Sequence, residues 1–223
     1  MRARLPLFPL GTVLFPGLLL PLHVFEERYR LLVEELTALP ANEPRRFGVV
    51  AIRRGREVGE DGVDALYDVG CTAELRRVTA YDDGRYDIIT SGVARFRVLE
   101  TDDSRPYLSA DVDLLPETVG AQAAVKMLAE QVRSQFGRYL EVVAEAQASP
   151  VDAPTIPGDP LVLSYLVAAT MLLDLGDRQR LLAEETAEGR LTAELAMLRR
   201  ETAMLRTLRA APATDLSQGT HHN

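Results

Sequence analysis

The feature that most restricts this chain is a single change in the period of its apolar residues, near residues 116–118. Before that point, apart from one helical stretch, large side chains mostly recur every second residue; after it they recur every third or fourth. A pattern of period two fits a half-buried strand and one near 3.6 fits a helix, and neither substitutes for the other. The chain therefore reads as an α+β protein: residues 1–117 as a β-rich barrel carrying one helix, residues 118–210 as a helical bundle, and residues 211–223 as a polar, disordered tail.

In the first part, residues 4–22 read as short extended pieces joined by turns, because each Pro holds the residue before it extended and Phe15-Pro16-Gly17 is a turn signal. The spacing of Phe25, Tyr29, Leu32, Val33 and Leu36 predicts a helix over 23–37. Phe47–Ile52 is an apolar run of strand length. The stretch 64–80 alternates through Tyr67, Val69, Cys71, Ala73 and Leu75, and Asp82-Asp83-Gly84 predicts a hairpin turn of type I′. Two further strand segments flank Ser91-Gly92, and residues 107–115 supply the last strand, so that several short strands in series suggest a small closed or half-closed barrel.

In the second part, Thr118 is the expected N-cap of a helix reaching about residue 146, and the prolines of 147–158 mark a loop. Asp159-Pro160 joins a cap residue to a proline at the first helical position. The helix over 161–173 is apolar nearly all round and should form the buried centre. A further helix is expected from Asp177. In the last one, over 188–210, Leu191, Leu195, Leu198, Thr202 and Leu205 follow a heptad, which leaves monomer and homodimer both open.

Composition excludes much chemistry. Lys126 is the only lysine and follows no glycine-rich loop, so there is no phosphate-cradling G-x-x-x-x-G-K-[ST] motif and no Ser-Lys pair on a strained turn. Of three histidines, His221 and His222 lie in the tail; His23 alone falls in folded sequence, and no G-x-S-x-G elbow accompanies it. One cysteine, Cys71, and one such histidine cannot supply the three or four ligands of a zinc site. No catalytic residue, cofactor site or metal site is expected. The formal charge of −8 argues against nucleic acid, although Arg45 to Arg56, or Arg76, Arg77, Arg95 and Arg97, would form the basic face that an RNA-binding regulator needs. Proline breaks the apolar stretch 5–22, which has no signal-peptide cleavage pattern, and no run is long enough to span a bilayer, so the expected location is the cytoplasm.

What remains unusual is Val13-Leu14-Phe15-Pro16-Gly17-Leu18-Leu19-Leu20-Pro21. Two readings stand: the segment wraps the barrel and is buried, or Leu14, Phe15, Pro16, Leu18 and Leu19 line a partly exposed groove that captures extended peptides.

The opening Leu5-Pro6-Leu7-Phe8-Pro9-Leu10, then Val13-Leu14-Phe15-Pro16-Gly17 and Leu20-Pro21-Leu22-His23-Val24-Phe25-Glu26-Glu27-Arg28-Tyr29, resembles the start of the N-terminal, substrate-binding domain of Lon proteases. Phe47-Gly48-Val49-Val50, Asp83-Gly84-Arg85-Tyr86 and Gly92-Val93-Ala94-Arg95-Phe96-Arg97-Val98 extend the likeness, which covers about residues 4–210. The resemblance implies a barrel of the pseudouridine-synthase-associated (PUA-like) type followed by a helical bundle. It also implies a role in recognising unfolded or degron-bearing polypeptides, with a Lon-type protease as a further partner. In full-length Lon the last helix leads on to an ATPase and a Ser-Lys protease. This sequence ends at Asn223 and holds one lysine, so the expectation is a stand-alone, non-catalytic member.

Overall fold

The computed structural model describes residues 1–55, 63–147 and 155–210. The elements run β1 (Arg2–Leu10), β2 (Leu19–Val24), α1 (Glu27–Ala38), β3 (Arg46–Gly55), β4 (Val63–Leu66), β5 (Val69–Ala80), β6 (Tyr86–Asp102), β7 (Ser109–Leu114), α2 (Gln122–Gln147), α3 (Pro160–Thr170), α4 (Leu175–Ala183) and α5 (Ala187–Ala210). Strand order is β1-β7-β6-β5-β3, and a parallel pairing of β1 with β3 closes the circle into a barrel. Closure pairs the edges of β1 and β3 along Leu7–Leu10 and Gly48–Ala51. Two short strands lie off this ring: β4 pairs with β3, and β2 pairs with the first half of β6.

Phe96 fills the barrel interior with Leu7, Val50, Ala110 and Val112. Its ring lies so close to β5 that a Cβ on Gly70 would sit 2.4 Å from it, which is why that strand position lacks a side chain. A second core forms where α1 lays Tyr29, Leu32, Val33 and Leu36 against the barrel wall. There Phe8 and Tyr29 stack with ring centroids 4.0 Å apart. The third core belongs to the helices, and it also takes Val13, Phe15, Ala51 and Val69 from the barrel. In it α2 and α5 run side by side in the same direction, with Ala121 bonded to Glu188 and Gln135 to Thr202. The heptad residues Leu191, Leu195, Leu198 and Thr202 are buried against this core within the chain.

Several elements differ from their sequence readings, each for a local reason. Helix α1 begins at Glu27, not at His23, because Leu20, Leu22 and Val24 alternate and continue β2 against β6. The 64–80 stretch breaks at Tyr67–Asp68 into β4 and β5, whereas the segments either side of Ser91-Gly92 form one long strand. The hairpin has a three-residue loop: Gly84 donates to Tyr81 O, Tyr81 donates to Arg85 O, and Gly84 takes φ +81°. This is a turn closed by a left-handed glycine rather than a two-residue type I′ turn. Helix α2 starts at Gln122, and Thr118 instead bridges to Thr186. Helix α4 starts at Leu175, capped by Asp174 on the Asp177 N–H. Asp159 caps α3 through the N–H groups of Leu161 and Val162. The expected loop over 147–158 falls partly, and the expected tail wholly, outside the described residues.

Candidate functional site

The proline-punctuated segment divides between interior and surface. Leu14 is 3% exposed, in the core under α1, and Phe15 is 1% exposed, in the helical core with its ring 6.2 Å from Tyr165. The expectation that both line an open groove is therefore corrected. Successive side chains enter two different cores, so this loop stitches the barrel to the helices. Gly17 N–H donates to Gly92 O and Gly92 N–H donates to Leu18 O, which holds the loop flat on β6. A Cβ at Gly92 would lie 2.2 Å from Phe15 O, so only glycine permits the crossing. Pro16 and Leu18 are half-buried, and Leu19 is 68% exposed.

From Leu19 onward the surface is of a different kind. Because Gly92 donates to Leu18, the hydrogen-bonded pairs of the β2–β6 ladder fall at Leu20, Leu22 and Val24. The backbone groups of Leu19, Pro21 and His23 then point away from β6. No strand pairs with that side among the described residues, so β2 is an edge. Two large apolar side chains bracket it, Leu19 at its start and Phe25, 47% exposed, just beyond its end. Pro21, His23, Arg77, Thr79, Asp87 and Ile89 line a shallow, open groove of about 460 Å³ beside it.

A polar group stands at the far end of this edge. His23 Nδ1 lies 2.7 Å from Asp87 Oδ1, and Tyr81 Oη donates to Asp87 Oδ2. The Tyr81 and His23 bonds hold the Asp87 carboxyl below the usual carboxylate range. A nucleophilic triad would need a hydroxyl or thiol at the other ring nitrogen. Here His23 Nε2 instead faces the Arg85 guanidinium at 3.4 Å. No group of three or more His, Cys, Asp or Glu side chains suited to a metal ion occurs among the described residues.

A second concavity lies at the other end of α1. It encloses about 300 Å³ over Leu5, Pro6, Leu32, Leu36 and Leu39, and Arg4, Glu35, Arg105, Tyr107 and Ser109 complete its wall. Arg105 Nη1 donates to Tyr107 Oη (2.7 Å) and Glu35 Oε2 (3.2 Å), and Tyr107 Oη donates to the same carboxylate. Nothing local in the sequence marks this pocket, since its walls come from β1, α1 and the approach to β7.

The basic face required for RNA is interrupted. Arg46 and Arg76 both pair with Glu74 at 2.7 Å, and Arg95 is 1% exposed. Arg95 reaches from β6 into the seam between barrel and helices. It donates to Glu117 (3.1 Å) and to the carbonyls of Leu182 (3.0 Å), Glu184, Pro116 and Glu185. Arg190 meets it from α5, donating to Leu181 O, Ser164 Oγ and Glu184 O, with its guanidinium 4.2 Å from the Tyr165 ring centroid. Two buried guanidinium groups thus satisfy the carbonyls that end α4. One turn along α5, Glu194 is wholly buried with both carboxyl oxygens unpartnered, and burial pushes its pKa well up.

The chain is thus a closed barrel bearing a helix, stitched to a helical bundle. The family model described as the ATP-dependent protease La (Lon) substrate-binding domain matches residues 4–200, and the chain belongs to that family. It is 29% identical over 209 residues to a Lon protease of Anaeromyxobacter dehalogenans, covering 92% of this chain and 24% of that protein. It is 30% identical over 201 residues to a Lon protease of Desulfovibrio desulfuricans, covering 88% and 22% respectively. The chain thus spans about a quarter of the length of the curated relatives it matches. Among solved structures, a Lon N-terminal domain protein from Xanthomonas campestris aligns with TM-score 0.58 at 23% identity, over 87% of this chain and 98% of that one. The N-terminal domain of Lon protease from the Mycobacterium avium complex aligns with TM-score 0.63 at 17% identity, over 90% and 98%. These two likenesses carry the fold. No described helix is long and apolar enough to cross a membrane.

Proposed function

We propose that the chain is a non-catalytic module of the cytoplasm that binds unfolded or degron-bearing polypeptides and presents them to, or withholds them from, a Lon-type protease. One observation carries this reading: β2 offers an unpaired backbone edge flanked by exposed Leu19 and Phe25. An extended client can add to such an edge through main-chain hydrogen bonds and bury apolar side chains on the flanks. Family membership supports the same reading.

The test is titration of a labelled, chemically unfolded polypeptide, followed by fluorescence anisotropy. Replacing Leu19 or Phe25 with Asp removes a flank and should cost about 1–2 kcal/mol, about a 5–30-fold loss of affinity, with the melting temperature unchanged. Leu99→Asp, on an equally exposed residue of β6, should leave binding intact. Phe15→Ala serves as a contrast, since it should lower stability by about 3–5 kcal/mol by opening the helical core. Absence of binding by the wild type, or equal binding by Leu19→Asp and Phe25→Asp, refutes the reading.

A further inference from the structure

We propose that the pocket at the C-terminal end of α1 is a second subsite, which takes the last residue of a client: an apolar side chain on the leucine floor and the free α-carboxylate on Arg105. The inference rests on the reading above, that the chain binds polypeptides, and adds which part of a client this pocket reads.

Three features of the pocket agree. Its volume, about 300 Å³, suits one large apolar side chain rather than a cofactor, and the floor of Leu5, Pro6, Leu32, Leu36 and Leu39 offers that side chain no polar partner. The mouth holds a cation whose position is fixed. Arg105 spends only Nη1 on Tyr107 and Glu35. Its Nε and Nη2 have no partner among the described residues, although the side chain is 59% exposed. Those two nitrogens form one planar edge of the guanidinium, whose parallel N–H bonds match the two oxygens of a carboxylate. The third feature is the backbone beside the pocket. Arg2–Leu5 of β1 pair with β7 on one side and with no strand on the other among the described residues, so the residues before the client's terminus can lie extended along that edge.

Other charges at the mouth are mostly committed. Asp102 accepts from Arg4 and from the Ser104 N–H, and Glu35 Oε2 accepts from Arg105 and Tyr107. Glu35 Oε1 is the one pocket-wall carboxylate oxygen with no partner among the described residues, which makes an α-ammonium group the competing occupant.

The experiment uses N-acetylated Gly-Ser peptides ending in Phe, as the free acid and as the amide, titrated into the protein by fluorescence anisotropy. Charge-assisted bonds to a carboxylate predict that the free acid binds about 10–100-fold more tightly than the amide. Arg105→Met keeps the apolar stem and removes the fork, so it should bring the acid to the affinity of the amide and leave the amide unchanged. Replacing the terminal Phe with Ser should weaken the acid on the wild type. Equal binding of acid and amide, or an acid preference that survives Arg105→Met, overturns the proposal. So does tighter binding by a peptide with a free amine and an amidated end, which would give the pocket to Glu35. If the acid preference is absent while unfolded polypeptide still binds in a Leu19- and Phe25-dependent way, only the subsite falls. If neither probe binds, the underlying reading falls with it.

Discussion

Replacing Arg95 with methionine should loosen the joint between barrel and helices far more than any surface change on the same strand. The guanidinium is 1% exposed and donates to five acceptors. Two of them keep another donor after its removal: Glu117 retains Tyr165, and Glu184 O retains Arg190. Among the described residues the carbonyls of Leu182, Pro116 and Glu185 do not; the Leu182 carbonyl is buried and its orphaning costs about 1–3 kcal/mol, whereas Pro116 and Glu185 are exposed residues whose carbonyls can turn to water at lower cost. Methionine refills most of the volume and offsets part of the loss. The net should be about 2–4 kcal/mol, less than for a fully buried ion pair because the Glu117 carboxylate is partly exposed and keeps Tyr165. For a domain of this size that is a fall of about 4–16 °C in Tm, read by circular dichroism. Arg97→Met, two residues along and exposed, is the control and should change stability by no more than about 0.5 kcal/mol. A loss for Arg95→Met no greater than for Arg97→Met would refute the assignment of the seam to this side chain.

Glu194 and Cys71 give two further expectations. Burial gives folded Glu194 a pKa well above its ordinary value of 4.5, so between those values the native state holds more protons than the unfolded one, and stability falls as pH rises through that window. Glu194→Gln removes the titration and should gain Tm over the wild type progressively as the pH rises above 4.5; a constant difference as the pH rises would contradict the buried, protonated assignment. Burial likewise pushes the Cys71 thiol up to about 12, so a disulfide reagent at mild alkaline pH should leave the native protein unmodified and label it fully in denaturant. Prompt labelling of native protein would refute this.

The periodicity of the sequence reveals the barrel and the bundle because each element satisfies its own pattern locally. In β6 Phe96 points into the barrel while Arg95 and Arg97 lie on the other side, but only Arg97 is exposed. The periodicity does not reveal that α4 lies over the outward face at Arg95 and stops short of Arg97, since that is a property of packing between segments far apart in the chain. The apolar run at Val13–Phe15 misleads for the same reason. Apolar residues outside a regular element suggest an open groove only if a single core is assumed. Here Leu14 and Phe15 have a core each. The pocket under Arg105 is likewise invisible in sequence, whereas the exposed flank at Leu19 lies inside the segment that composition marks as unusual.

The prolines of the opening segment connect these observations to function. Read along the chain, Pro6 and Pro21 interrupt strands. In the fold Pro21 occupies a strand position whose missing N–H would have pointed outward: Leu18 accepts from Gly92, so the amide at residue 21 falls on the unpaired side of β2, whereas Leu7 donates to Leu108 O and position 6 turns toward the side on which β3 pairs from Leu7 onward. Pro21 costs no ladder bond there, and it leaves the β2 edge without one of its outward donors. An edge of this kind cannot template a long continuous sheet, which protects the protein from pairing with itself. It still offers the outward N–H groups of Leu19 and His23 and the carbonyls beside them. A client added to β2 would therefore be held by a few backbone bonds, with the balance of affinity resting on the side-chain contacts at Leu19 and Phe25. Weak backbone capture combined with side-chain selection would suit the proposed role in binding polypeptides.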